Sequence, residues 1–134
     1  MNQHSIAKAL LERINSWPFR PADAKLESFG PGLPAIKLSF AGAAKMQKRY
    51  ADGSEIFELP LAITLRARGG TPHESLFSLA EYLKSTEPPQ LDDGVCLLML
   101  EPLGPPRRTG ADVSGLAEYT LPLRLMCAVP ARPR

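Results

Sequence analysis

The sequence predicts an α+β fold, a largely antiparallel sheet with two helices packed on one face. Three observations lead there. Two segments, "SIAKALLERINSW" and "GGTPHESLFSLAEYLKS", carry apolar residues at helical spacing. Elsewhere the period switches to two, in "PAIKLSF", "EIFELPLAITLRA" and "AEYTLPLRLMCAV". The strand candidates come in adjacent runs, which favours antiparallel pairing over alternating crossovers. The order is α-β-β-β-α-β-β, with a further short strand expected within Lys25 to Phe29.

The elements follow in turn. Ile6, Leu10, Ile14 and Trp17 define one face of the first helix, Asn2 or Ser5 is placed to cap it, and Pro18 ends it. In "PAIKLSF", Ile36, Leu38 and Phe40 alternate with Lys37 and Ser39 as in a half-buried strand. "AGAA" reads as a bend, and "KMQKRY" as a strand with Met46, Lys48 and Tyr50 on one side. The Asp52-Gly53 pair then signals a hairpin, because Gly53 tolerates the positive φ that such turns need.

Beyond the turn, Phe57, Leu59, Leu61, Ile63, Leu65 and Ala67 share one side, with Glu58, Pro60, Ala62, Thr64, Arg66 and Arg68 on the other. At ~3.3 Å per residue this strand spans roughly 40 Å, against about six residues for a typical strand. A long hairpin protruding beyond the domain's own core is expected. Pro60 marks an edge or a bulge, since it has no amide hydrogen to give the ladder.

Thr71, Pro72 and Glu74 open the second helix as N-cap, first helical residue and capping-box acid. Leu76, Leu79, Ala80 and Leu83 form its apolar stripe. "STEPPQLDDG" is a loop, and "VCLLMLEPL" a short strand apolar enough to be buried on both faces. "GPPRRTGADVSG" reads as a long flexible connection, and the tail "PARPR" as frayed. "ELPLAITLR" and "YTLPLRLM" echo each other, and are read as two proline-interrupted strands rather than a repeat.

One domain over residues 1–134 is the natural organisation for 134 residues. The 16 basic and 14 acidic residues leave a net charge of +2, too balanced to imply nucleic acid from bulk electrostatics. Fourteen prolines, 14 in 134 residues, point to stiff loops and interrupted strand edges. Cys96 and Cys127 sit in apolar runs and read as reduced core cysteines. No signal peptide or membrane span is recognised, so a cytoplasmic start is expected.

No catalytic, cofactor-binding or metal-binding residue is assigned. His4 and His73 lack ligand partners at metal spacing, Asp92-Asp93 before glycine reads as a turn, and Ser54 and Ser114 lack a nucleophile-elbow context. The basic residues Lys45, Lys48 and Arg49, and the pair Arg107 and Arg108, read first as solvated surface. An enzyme is not expected.

"KMQKRYADGSEIFELPLAITLRA" and "ADVSGLAEYTLPLRL" resemble the turn-and-strand and final-strand patterns of a family of tailed-phage and prophage minor capsid proteins, similar to siphophage tail terminators. The resemblance runs over nearly the whole chain and departs at Ala117, where the family often has an acidic residue. It implies a structural assembly protein that forms a ring, commonly hexameric, ending tail-tube growth and joining the tail to the head connector. Its partners would be other copies of itself, tail-tube protein and head-connector protein, in the host cytoplasm during assembly and then in the virion, with no membrane and no nucleic acid. Tyr50, Asp52, Gly53, Phe57, Leu59 and Leu61 are the expected subunit interface, with the subunit's own core as the competing placement for the aromatic ones. Arg107 and Arg108 are the expected partner-contact loop. The alternative is a small peptide-binding or single-stranded-RNA-binding α+β module. Against it, the even-numbered strand face shows no aromatic stacking platform.

Overall fold

The computed structural model describes residues 3–85, 91, 94–111 and 115–131. The expected cap at Asn2, the Asp92-Asp93 turn, Ser114 and the end of the tail lie outside the described residues. The chain runs α1 (Gln3–Asn15), β1 (Ala24–Leu26), β2 (Ala35–Phe40), β3 (Lys45–Arg49), β4 (Glu55–Arg68), α2 (Pro72–Ser85), β5 (Cys96–Pro102), β6 (Arg107–Ala111) and β7 (Leu116–Val129). Both helices pack on one face of a seven-stranded sheet of order β1-β2-β4-β7-β5, with β3 also on β4 and β6 also on β7. Among the described strands only β1 and β2 pair in parallel. The fold is α+β.

Helix α1 buries Ile6, Ala7, Leu10 and Ile14 and closes with Trp17 N–H donating to the Ile14 carbonyl, one residue before Pro18. Helix α2 begins at Pro72, and the Thr71 carbonyl accepts from the amides of Glu74 and Ser75. Leu76, Leu79, Ala80 and Leu83 face the sheet. The opposing layer is the odd-numbered side of β4 and β7: Leu59, Leu61, Ile63 and Leu65 beside Leu121, Leu123, Leu125 and Cys127, flanked by Ile36 and Leu38 of β2. Burying a side chain of this size contributes about 1.5–3 kcal/mol, so this seam dominates the stability of the fold.

Strands β4 and β7 are antiparallel partners along their whole length, from Glu55↔Val129 to Arg68↔Leu116. Around them the rest of the sheet is laid out twice, by a twofold relation whose axis runs through the Leu61↔Leu123 pair. Opposite Leu61 is Phe40 of β2, and opposite Leu123 is Pro102 of β5. Lys45 and Met46 of β3 face Glu58 and Phe57, while Arg107 and Arg108 of β6 face Thr120 and Tyr119 at the matching positions. Both outer strands then bulge, between Met46 and Lys48 and between Arg108 and Gly110. The tight turns match as well, with positive φ at Gly53 and Gly115. The likeness stops at the strands, since α1 lies against β1 whereas α2 lies against β7, β5 and β4. Strands β2 to β4 and β5 to β7 therefore repeat one three-stranded layout, and the echo between "ELPLAITLR" and "YTLPLRLM" falls at matching positions of it. Few side chains survive in common because each copy needs only apolar residues at alternating positions.

The prolines explain themselves in this frame. The Pro60 carbonyl accepts from the Ala41 amide at 3.0 Å, and the Pro122 carbonyl accepts from Leu103 N–H at 2.9 Å. A residue's N–H and C=O leave a strand on the same side. The missing N–H of each proline therefore points at the junction where β2 gives way to β3, or β5 to β6, and no ladder bond is lost.

Five expectations change. The long strand β4 does not project as a two-stranded arm, because β7 accompanies it to the tip and makes the far end a four-stranded wing, β3-β4-β7-β5. The connection after β5 contains β6, hydrogen-bonded to β7. Strand β5 is an edge, with Leu97 buried but Leu98 and Met99 about half exposed at a bulge (50% and 45%). Cys96 is accordingly exposed, and only Cys127 is a core cysteine, its thiol 3.8 Å from the Phe57 carbonyl. The short strand β1 is also earlier and shorter than the Lys25 to Phe29 segment expected.

Candidate assembly surface

The β3–β4 turn is locked by its own residues. Tyr50 N–H donates to the Ser54 carbonyl at 2.8 Å, and Gly53 N–H to the Tyr50 carbonyl at 3.0 Å. The Asp52 carboxylate accepts from the Ser54 amide at 2.8 Å and from its hydroxyl at 2.6 Å. These Ser54 bonds hold the Asp52 carboxyl below the usual carboxylate range. Gly53 has φ 90°, a conformation that costs other L-residues about 1–2 kcal/mol. Behind the turn, Arg49 pairs with Glu55 at 2.9 Å, the Gln47 amide donates to Glu58 at 3.0 Å, and Lys48 Nζ lies 4.9 Å from the Tyr50 ring centre. Every residue of β3 is exposed, and Met46 and Tyr50 offer apolar surface there.

The expected interface residues divide along this strand. Tyr50, Asp52 and Gly53 lie at the exposed tip. Phe57 is partly buried against the core, while Leu59 (0% exposed) and Leu61 (1%) are enclosed within it. Leu59 and Leu61 thus belong to the subunit's own core and present no surface to a neighbour. The alternating pattern identified the inward face correctly, but how far the helices and neighbouring strands cover it depends on the pairing of β4 with β7.

Arg107 and Arg108 are exposed as expected, but on a strand, at the opposite end of the sheet from the turn. The structure does not bring them together with Tyr50 or Asp52. What accompanies the turn instead is β5, across the wing. No other described strand pairs with the outer edges of β3 or β5. Met46 and Tyr50 mark one edge, Leu98 and Met99 the other.

The helix-free face of the sheet carries matched charges. Arg66 pairs with Glu118 at 3.1 Å, and Arg124 with Glu101. The Phe29 ring is capped by Arg66 (4.0 Å) and Lys37 (4.8 Å). Thr64, Thr120 and Thr109 link hydroxyls across β4, β7 and β6 at 3.0 and 2.9 Å. His73 lies against Tyr119 with ring centres 5.5 Å apart. Among the described residues no three His, Cys, Asp or Glu side chains gather as metal ligands, and no helix is long and apolar enough to cross a membrane.

Sequence reasoning missed Leu98, Met99, Phe19 and Phe77 as surface residues. Phe77 carried a usable signal, since it falls outside the stripe formed by Leu76, Leu79, Ala80 and Leu83. For Leu98 and Met99 no signal was present, because an edge strand and a central one read alike when both are apolar. Compared with known protein families and with curated proteins, the chain matches none.

Proposed function

We propose that this chain is a structural assembly protein that closes into a ring, in the manner of the tail terminators its turn and final strand resemble, and that such a ring ends tail-tube growth and meets the head connector. One observation carries the reading: among the described residues no strand pairs with the outer edge of β3 or β5 in the four-stranded wing, and large apolar side chains are exposed at both. Bare strand edges of this kind invite pairing with another chain and are a hazard for a protein that works alone. Packed against neighbouring copies in a closed ring, the same edges become interfaces. The hydrogen-bonded turn at Asp52 and Gly53 fixes the backbone of the tip, which lowers the ordering cost of presenting Tyr50. Arg107 and Arg108, at the other end of the sheet, suit contact with tube or connector protein.

Light scattering behind size-exclusion chromatography, from micromolar to millimolar protein, tests this. The expected result is a discrete multimer near six subunits that forms as concentration rises. A monomer at every concentration overturns self-assembly. Salt-sensitive retention on a single-stranded nucleic-acid column would instead favour a binding module.

A further inference from the structure

The registers of five strands chain into one row across the sheet. Lys25 of β1 stands opposite Lys37 of β2, Lys37 opposite Thr64 of β4, Thr64 opposite Thr120 of β7, and Thr120 opposite Arg107 of β6. Directly opposite residues share a face of a sheet, and here it is the face without helices. Neighbouring strands lie about 4.8 Å apart, so three cations and two hydroxyls fall on a line roughly 19 Å long. Arg66, two residues on from Thr64, joins the same face, whereas Arg108 stands opposite Tyr119 on the helix side and takes no part.

The row is held in place and its charge is left over. Arg66 and Lys37 both sit on the Phe29 ring, at 4.0 and 4.8 Å, which fixes two cationic heads at the middle of the row. The Lys25 stem runs past Gly30, where an added Cβ would meet it at 3.5 Å. The neighbouring carboxylates are already engaged: Asp23 by Arg20 at 2.8 Å, Glu118 by Arg66 at 3.1 Å, and Glu27 by the Phe40 amide at 3.0 Å. Among the described residues no carboxylate forms an ion pair with Lys25, Lys37 or Arg107.

We propose that this row docks an extended acidic segment of a partner protein, lying across the strands from Lys25 to Arg107 with its carboxylates on the cations. This rests on the assembly reading, in which Arg107 meets tube or connector protein, and names the chemistry of that partner. Charge complementarity sets the partner's sign. The lack of a free ring sets its class. Phe29 is already covered by Arg66 and Lys37, and the even-numbered positions of β4 and β7 carry no aromatic side chain, so nucleic-acid bases have nothing to stack on. About six extended residues span the row, and the exposed Thr109 hydroxyl, bonded to Thr120 at 2.9 Å, lies beside their path.

Fluorescence anisotropy of the full chain with fluorescein-labelled decaglutamate at low ionic strength tests this, with labelled decathymidylate beside it and circular dichroism to establish that each variant is folded. Wild type should bind decaglutamate more tightly than decathymidylate. K25E and R107E, both at exposed positions, should each weaken decaglutamate binding roughly 3–10-fold, as expected when an exposed charge pair turns repulsive. K8E, on the exposed side of α1, makes the same change of net charge away from the row and should have little effect. K25Q and R107Q stand in if a reversal misfolds. No binding by wild type, or a loss in K8E equal to that in R107E, overturns the row. Tighter binding of decathymidylate assigns the face to nucleic acid and overturns the acidic-protein partner. Light scattering on the same wild-type samples keeps the two readings apart. Multimers that ignore decaglutamate overturn the row and leave the ring, whereas a monomer that binds it overturns the ring and leaves the row.

Discussion

Leu59 offers the sharpest test of which surface belongs to the subunit and which to its neighbours. Its side chain is 0% exposed, in the layer between the helices and the centre of β4. Leu59→Ala removes buried carbon and leaves a cavity, which costs about 2–5 kcal/mol in closely packed cores. Leu59 is fully enclosed in the middle of the sheet's buried layer, so collapse is limited and the upper part of that range applies. A domain of this size has roughly 5–15 kcal/mol in total, so the variant folds with a much reduced margin. With a urea dependence of about 1–3 kcal/mol per molar, the midpoint of unfolding falls by roughly 1–5 M. The assay is urea denaturation followed by circular dichroism at micromolar protein, paired with sedimentation of the folded variant. Leu121→Ala, at the matching position, should cost about 2 kcal/mol, because the space it leaves joins an open cleft. An unchanged midpoint for Leu59→Ala together with lost association would return Leu59 to the interface and refute the core assignment.

Thiol titration of the native protein should give one fast equivalent, from exposed Cys96, with Cys127 reacting only as the protein opens; two fast equivalents would contradict the buried placement. Burial pushes the Cys127 thiol up, so its contribution to stability is complete below the unfolded thiol value of about 8.5 and is lost as pH rises above it, visible as a falling melting temperature in alkali. Gly53→Ala and Gly115→Ala should each cost about 1–2 kcal/mol through the positive φ, since a Cβ at Gly53 meets only Ala131 at 3.4 Å and one at Gly115 meets nothing; equal melting shifts of roughly 3–8 °C for the two check the twofold relation in energy. Asp52 should titrate below an ordinary aspartate in carboxyl-detected NMR, and its contribution to stability, present above the unfolded value of about 3.9, should disappear as pH falls through the folded one. Asp52→Ala would then destabilise the protein at neutral pH and not in strong acid.

The elements with a clear period were legible from the sequence, and those set by the pairing of distant strands were not. The stripes of α1 and α2, the Asp52-Gly53 turn and the alternation of β4 and β7 each rest on local chemistry, and each appears at its expected place. Strand β6 did not, because "RRTGA" has neither alternation nor β-branched residues beyond Thr109 and owes its conformation to β7. The same dependence placed Leu59 and Leu61 wrongly at an interface. Strand length alone suggested an arm with nothing beside it, whereas β7 matches β4 residue for residue. The duplication was equally hidden, since it is carried by register, bulges and the two prolines more than by shared side chains.

The differences between the two strand units would make the proposed self-contact directional. Two identical halves about a twofold axis would present the same surface at both ends, and association through those ends would repeat without polarity. Here the halves differ in three places that act together. Strand β1 covers the outer edge of β2, whereas no described strand pairs with the outer edge of β5. Phe40 stands opposite Leu61 where Pro102 stands opposite Leu123. The connection from α1 to β2, which carries Phe19, is longer than the one from α2 to β5 and has no counterpart to that residue. Ends that differ in this way would give every contact between copies the same sense, as the proposed ring requires.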